Sequence, residues 1–127
     1  MLIDSNIIIY ASKPEHAQLR QFIAENSPVV SAVSYVEVLG FHRLSEDEKE
    51  LLEAFFAATV ILPLTQPVLN QAVLLRQQRR MSLGDALVAA TALVNNHKVV
   101  THNVKDFMGI DGLAVYDPLA DEDKSTG

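Results

Sequence analysis

Short runs of branched apolar residues alternate along this chain with longer segments in which apolar residues recur every three or four positions. The first pattern is typical of buried β-strands and the second of amphipathic helices. An isoleucine-rich start predicts a buried first strand ending near Asp4, and further strands are predicted over 28–31, 60–62, 98–101 and 113–116. Helices are predicted over 14–25, 35–41, 45–56, 67–81 and 83–94.

Short strands that alternate with helices indicate a parallel sheet covered by helices on both faces. The predicted fold class is therefore α/β, a three-layer α/β/α sandwich with a central, mostly parallel sheet. A chain of 127 residues is the size of one ordinary domain. We expect that domain to cover residues 1–118, and we expect the polar tail over 119–127 to be disordered.

The composition describes a globular protein without a membrane segment. Apolar residues make up 49% of the chain, but no apolar run approaches the roughly 20 residues that cross a bilayer. Met1 leads directly into Leu2 and Ile3 without a basic region, so no secretory signal is expected. The chain has no cysteine, which excludes disulfides and thiolate metal ligands. We expect a cytoplasmic protein.

Four acidic residues stand at the edges of apolar segments: Asp4, Glu37, Asp85 and Asp106. In α/β sheets ligands bind outside the carboxyl ends of the strands, at the edge where the following helices begin, and all four acids fall close to that edge. Carboxylates brought together repel one another unless a counter-ion is present, and hard oxygen ligands suit a divalent cation. The pattern predicts an enzyme that uses Mg²⁺ or Mn²⁺.

Each acid also has a local explanation. Three of them follow a helix-capping residue type by three positions, in the pairs Ser34 and Glu37, Ser82 and Asp85, and Asn103 and Asp106. Asp4 can cap a turn at the end of the first strand, although an unpaired carboxylate there would be costly to bury. Capping and ligand binding are compatible, because helix starts that follow parallel strands gather at one edge.

The net charge of −6 argues at first against a nucleic-acid partner. Without the four candidate ligands and the charged residues of the tail, however, the remaining acids and bases balance. Bound cations would also reverse the sign of the potential at the site. A polyanionic substrate is therefore compatible with this chain.

Four segments carry a resemblance to a known family, in this order along the chain: LIDSNIII over 2–9, SAVSYVE over 31–37, LGDALVAATA over 83–92 and VTHNVKDF over 100–107. Together they resemble the motifs of PIN-domain ribonucleases, and in particular those of the VapC toxins of prokaryotic toxin–antitoxin pairs. The resemblance extends from Met1 to about Pro118.

The resemblance implies a metal-dependent endoribonuclease in which water activated by the cation hydrolyses an RNA phosphodiester bond. Asp4, Asp85 and Asp106 would be the main metal ligands, and Glu37 would bind the ion directly, bind a second ion or orient the attacking water. The residues implied to support the acids by hydrogen bonds are Ser5, Asn6, Thr101 and Asn103. The implied partners are RNA, a small antitoxin that covers the acidic pocket, often by inserting an arginine, and a second copy of the chain.

Basic residues near the predicted site are few. Arg76, Arg79 and Arg80 are predicted to share one face at the end of a helix, where they either interact with the helix C-terminus or contact an RNA backbone. His102 stands where many members of the family have arginine. It is either a surface residue at a strand end or, when protonated, a contact for phosphate.

Two other functions compete with the nuclease. A receiver-like signalling domain is also a small α/β protein with an acidic Mg²⁺ pocket, but it requires an acid after the third strand, where this chain has Pro63, Leu64 and Thr65. A catalytically inactive PIN-like binding module is disfavoured because all four acids are present. Covalent catalysis and nucleotide hydrolysis have no supporting motif.

Overall fold

The computed structural model describes residues 1–120. Within that range five two-residue strands are present: β1 Leu2–Ile3, β2 Val30–Ser31, β3 Ile61–Leu62, β4 Val99–Val100 and β5 Val115–Tyr116. The α-helices of the same range are α1 Ser5–Ala11, α2 Ala17–Asn26, α3 Ala32–Leu39, α4 Glu46–Ala57, α5 Gln66–Gln78 and α6 Leu83–Val94. Short 3₁₀ turns cover Pro14–His16 and Val104–Asp106.

All strand pairs are parallel. β1 pairs with β4, β4 with β5, and β2 with β3. A bridge between Leu2 and Val29 joins the two groups, because Ile3 N donates to Val29 O at 3.0 Å and Val29 N donates to Met1 O at 3.0 Å. The strands therefore follow the order β3, β2, β1, β4, β5, and β1 lies at the centre. The predicted α/β class with a parallel sheet is confirmed.

Helices cover both faces of the sheet, as the period of two along a strand requires. Leu2 and Val99 point to the face that carries α5 and α6, whereas Ile3 and Val100 point to the face that carries α1, α2 and α4. α6 is buried almost all round, with residues 86–92 inaccessible or nearly so. Within residues 1–120 no helix is both long enough and apolar enough to cross a membrane.

The chain differs from the sequence-based expectation at its start. The run Ile7, Ile8 and Ile9 has the β-branched character of a strand, but it lies in α1, a helix that the sequence did not predict. Ile7 and Ile8 are buried against the sheet. Burial of these side chains outweighs their modest preference against helix, which is a fraction of a kcal/mol per residue.

The last described residues also extend the packed region. Leu119 is buried in the core on the α1 side of the sheet, and its N–H donates to Asp117 Oδ1 at 2.9 Å. The domain therefore includes this residue, one position beyond the predicted boundary at 118. The predicted disorder of residues 121–127 lies outside the described residues.

Candidate active site

Asp4 ends the central strand and begins a helix. Its N–H donates to Val100 O at 2.9 Å, while its Oδ1 accepts the N–H of Ser5 at 2.7 Å as the cap of α1. Its Oδ2 accepts the hydroxyl proton of Thr101 at 2.9 Å. The predicted capping role is thus present, and only 4% of the residue is exposed. The carboxylate is fixed from two sides at the carboxyl edge of the sheet.

Burial raises the pKa of Asp4 to about 6 from an ordinary value of 3.8. The hydrogen bonds from Thr101 and Ser5 act in the opposite direction, and the negative charges of Asp85 and Glu37 raise the pKa further. Desolvation therefore outweighs the hydrogen bonds that favour the charged form. An ionised Asp4 gains from any cation bound beside it.

Ser5 connects Glu37 to Asp4, because its N–H donates to Asp4 and its hydroxyl donates to Glu37. Glu37 Oε1 accepts from Ser5 Oγ at 2.8 Å, and the same hydroxyl lies 2.9 Å from Ser34 Oγ. The predicted cap by Ser34 is wrong, since Ser31 caps α3 by accepting the N–H of Val33 and Ser34 lies inside the helix. Ser34 instead reaches α1, so residues from α1 and α3 together hold the exposed Glu37 carboxylate.

Asp85 and Asp106 stand on the other side of this edge. Asp85 lies in the first turn of α6, where its N–H donates to Ser82 Oγ at 3.1 Å, as the predicted cap requires. Burial raises the pKa of Asp85, the Ser82 hydroxyl opposes this effect, and the charges of Asp106 and Glu37 add to it. Asp106 is exposed in the 3₁₀ turn, and the predicted cap by Asn103 is wrong because its side chain makes no capping hydrogen bond.

The outer acids face an open cavity of about 480 Å³. Its lining includes positively charged, negatively charged and uncharged side chains: Arg79, Arg80, Met81, Ser82, Asp85, Lys105 and Asp106. Cationic side chains beside carboxylates could hold a phosphate group next to a metal ion. The cavity is therefore suited to an anionic substrate as well as to a cation.

The carboxylate oxygens of the four acids are chemically suited to bind a divalent cation. The acids offer hard oxygens, and burial, with a smaller contribution from the neighbouring carboxylates, raises the pKa values of Asp4 and Asp85. Across residues 1–120, however, no three acidic or histidine side chains converge closely enough to hold an ion as they stand. Binding of an ion by three of these acids would require their carboxylates to come closer together than they lie here.

Three of the four predicted supporting residues make hydrogen bonds at this edge of the sheet. Ser5 and Thr101 donate hydrogen bonds to the acids. Asn103 contributes through its backbone, because its N–H donates to Thr101 Oγ1 at 3.0 Å. The Asn6 side chain is exposed and has no hydrogen bond to a residue within 1–120.

The predicted arginine face is wrong, because α5 ends at Gln78 and Arg79 has an extended backbone. Arg76 donates to Met81 O at 3.4 Å, and Arg79 donates to Met108 O, which ties the α5–α6 loop to the turn that carries Asp106. Arg80 is exposed and makes no hydrogen bond or ion pair with any residue of the described range. Arg80 is thus the freest of the three to meet a substrate.

His102 is paired. Its Nδ1 lies 3.1 Å from Asp117 Oδ2 and its ring meets the edge of Tyr10 with centroids 6.1 Å apart. The pair lines a second cavity of about 420 Å³ that also includes Lys105 and Asp106. His102 is therefore half-buried beside the acidic edge, and its partner Asp117 was not identified from the sequence.

Sequence reasoning also missed Gly84. A Cβ built at this position would lie 2.5 Å from Glu37 Oε2. The available signal was a glycine in the first turn of an otherwise apolar helix, where alanine would be more favourable. Ser34 gave no such signal, since its contact with Ser5 joins residues from two helices.

Comparisons with known proteins agree with this architecture. The sequence profile of the family described as the PIN domain matches residues 1–112. The chain is 29% identical to a protein named Ribonuclease VapC1 from Rickettsia felis, across 91% of this chain and 93% of the relative.

Solved structures extend the likeness to three dimensions. A toxin–antitoxin complex from Klebsiella pneumoniae contains a chain with a TM-score of 0.74 and 26% identity, covering 91% of this chain and 98% of that one. VapBC-1 from nontypeable Haemophilus influenzae gives a TM-score of 0.72 at 26% identity, covering 91% and 96%.

Proposed function

Because this chain belongs to the PIN domain family, we propose that it is a metal-dependent endoribonuclease that hydrolyses RNA phosphodiester bonds as the toxin of a toxin–antitoxin pair. The similarity to a protein named Ribonuclease VapC1 supports the substrate and the reaction. The observation that supports the proposal is that Asp4 and Asp85, both buried at least in part at one edge of the sheet, have pKa values raised by burial and by the charges of neighbouring acids that include Glu37 and Asp106.

Asp4, Asp85 and Asp106 would hold Mg²⁺ or Mn²⁺. When bound, such an ion supplies positive charge that makes water a stronger acid and offsets the charge developing on phosphate oxygens. Thr101 and Ser5 keep the Asp4 carboxylate in one orientation, as outer-shell partners of a metal ligand do. The raised pKa of Asp4 means that ionisation and cation binding reinforce each other.

Glu37 would orient the water molecule that attacks the phosphodiester bond. Its Oε1 is occupied by Ser5, whereas the residue is exposed and its Oε2 lies against Gly84 without a bonded proton donor in the described range. A carboxylate held in this way can orient an attacking water molecule and accept its proton. Arg80 and Lys105, in the cavity beside Asp106, would bind the phosphate groups of the substrate.

Cleavage of a labelled RNA tests the proposal. The wild-type chain should cut RNA in Mg²⁺ or Mn²⁺ and stop in EDTA, and Asp4→Asn should be inactive under all three conditions. Asp111→Asn is a matched control, because Asp111 is exposed and lies outside the acidic edge. A wild-type chain that binds RNA but never cuts it would support the alternative of an inactive PIN-like binding module.

The proposed protein partners are an antitoxin and a second copy of this chain. The similar chain from Klebsiella pneumoniae comes from a toxin–antitoxin complex, which supports the first. An apolar cleft of about 280 Å³, lined by Ile8, Ala11, Ile23, Leu52 and Phe55 among others, offers a surface for such a partner. Leu51, at the rim and 47% exposed, provides a test: Leu51→Asp should cleave RNA normally yet resist inhibition by the antitoxin.

A further inference from the structure

Gly84 lies directly beneath the carboxylate of Glu37. A Cβ added to Gly84 would stand 2.5 Å from Glu37 Oε2, 3.2 Å from Cδ and 3.4 Å from Oε1. The three atoms nearest to that position thus all belong to the carboxylate of Glu37, which occupies the space that a side chain at Gly84 would fill. Real Cβ atoms essentially never approach another heavy atom within 3.0 Å, so a side chain at 84 and the present position of Glu37 exclude each other.

The backbone gives no other reason for glycine here. The positive φ angles of glycines within 1–120 occur at Gly109 and Gly112, and Gly84 has the ordinary conformation of the helix that begins at Leu83. Glycine inside a helix is less favourable than alanine, because it loses more backbone freedom on folding. Local stability would therefore favour a side chain at a position where the sequence has none.

Glu37 is held at this place by a second contact. Ser5 Oγ binds its Oε1 at 2.8 Å from the side of α1, while Gly84 bounds the carboxylate from the side of α6. Asp85 is the next residue of α6, and the charge of Glu37 contributes to the raised pKa of Asp85. The contact with Gly84 therefore determines how closely Glu37 can approach the acids across the site.

We infer that Gly84 is a positioning residue for Glu37, a role that rests on the proposed function. Its missing side chain admits the Glu37 carboxylate between Ser5 and the first turn of α6. An alanine at 84 displaces that carboxylate from the site. The fold tolerates the change, because the displaced group is the end of a flexible and exposed side chain.

A double-mutant cycle tests this role, with Gly84→Ala, Glu37→Ala and the double variant compared with wild type. For each chain we would measure the dissociation constant of Mn²⁺ by calorimetry, kcat and KM for RNA cleavage, and Tm. Gly84→Ala should lower kcat about 10-fold to 100-fold, the usual effect of disturbing a partner of the ligand shell. It should weaken Mn²⁺ binding, because a negative charge has moved away from the three proposed metal ligands, and it should leave Tm unchanged or higher.

The same substitution made in the Glu37→Ala background should change kcat and Mn²⁺ affinity by less than about twofold, because two changes that act through one group are not additive. Leu83→Ala is the matched control in the first turn of α6, since Leu83 is 58% exposed. It should leave both quantities near the wild-type values.

Three results would overturn the assignment while leaving the nuclease in place: wild-type behaviour of Gly84→Ala, equal losses with and without Glu37, or a Gly84→Ala chain that does not fold. A wild-type chain that neither binds Mn²⁺ nor cuts RNA overturns the proposed function itself, and the role of Gly84 with it. The two failures are therefore distinguishable.

Discussion

The two halves of the acidic edge are built differently. The inner pair, Asp4 and Glu37, is held by hydrogen bonds from Ser5 and Thr101. The outer pair, Asp85 and Asp106, borders an open cavity with Arg80 and Lys105. Fixed orientation and contact with the open cavity thus belong to different residues, and under the proposed function the outer pair would meet the substrate.

The largest expected effect comes from removing one carboxylate of each pair. Asp4→Asn and Asp106→Asn should each reduce RNA cleavage by more than the roughly 100-fold that loss of an outer-shell partner costs. Their effects on stability should differ, because Asp4 is buried and Asp106 is exposed. Urea unfolding without metal at pH 8 should show a more stable Asp4→Asn chain and an unchanged Asp106→Asn chain. Equal stability changes would contradict the division between the pairs.

The pH dependence of the free energy of unfolding should reveal the titration of Asp4 in the inner pair. Because the pKa of Asp4 is about 6 in the folded chain and 3.8 in the reference state, the folded state binds the proton more tightly, and this contribution is lost as pH rises from about 4 through 6. Wild type should lose about 3 kcal/mol relative to Asp4→Asn across that window, from 1.36 kcal/mol per pKa unit. Denaturant titrations of both chains at pH 4 and pH 7.5 in EDTA measure it. A constant difference between the two chains at both pH values would show that Asp4 titrates normally.

Removing the hydroxyl that orients Asp4 should have a smaller effect. Thr101→Val deletes the donor to Asp4 Oδ2 and the acceptor for Asn103 N–H, and it should lower the cleavage rate about 10-fold to 100-fold. Thr91→Val is the matched control, since that buried hydroxyl binds Leu87 O and Ser31 away from the acids. It should reduce stability by about 1 to 3 kcal/mol with normal cleavage. Equal activity losses in both variants would indicate a general packing defect.

The smallest effect is expected at the arginines beside the outer pair. Arg80→Ala should lower cleavage a few-fold and reduce the slope of log affinity against log salt by about 0.7, the value for one phosphate contact on a single strand. Arg79→Ala should leave that slope unchanged and instead cost about 1 to 2 kcal/mol of stability, because its bond to Met108 O is lost. Filter binding of RNA at several salt concentrations distinguishes the two. The opposite assignment of slope and stability would show that Arg79 is the residue that contacts RNA.

Local patterns were sufficient to predict most of the fold. The strands follow from short β-branched runs such as Val99 and Val100, and the cap at Ser82 follows from its spacing to Asp85. α1 was missed because its isoleucines favour extended structure locally, whereas burial against the sheet decides their conformation. The end of α5 was misplaced because Arg79 has no strong helix-stopping character in its sequence context.

The candidate site was predictable in its residues more than in its contacts. The acids could be identified because they stand at the edges of apolar segments, and Thr101 because the segment VTHNVKDF resembles a family motif. The pairing of Ser5 with Ser34 and of His102 with Asp117, and the approach of Glu37 to Gly84, depend on how separate elements pack. A single sequence carries no record of such distances, so side-chain contacts between helices remained outside the prediction.

The central position of β1 has a consequence during synthesis. β1 is formed by Leu2 and Ile3 and pairs with β4 at positions 99 and 100, while Thr101 binds Asp4 at a separation of 97 positions in sequence. A ribosome making this chain must therefore release residues 99–101 before the middle of the sheet can close. Under the proposed function, a nascent chain that lacks these residues would leave its own messenger uncut, and cleavage would begin only after they have emerged.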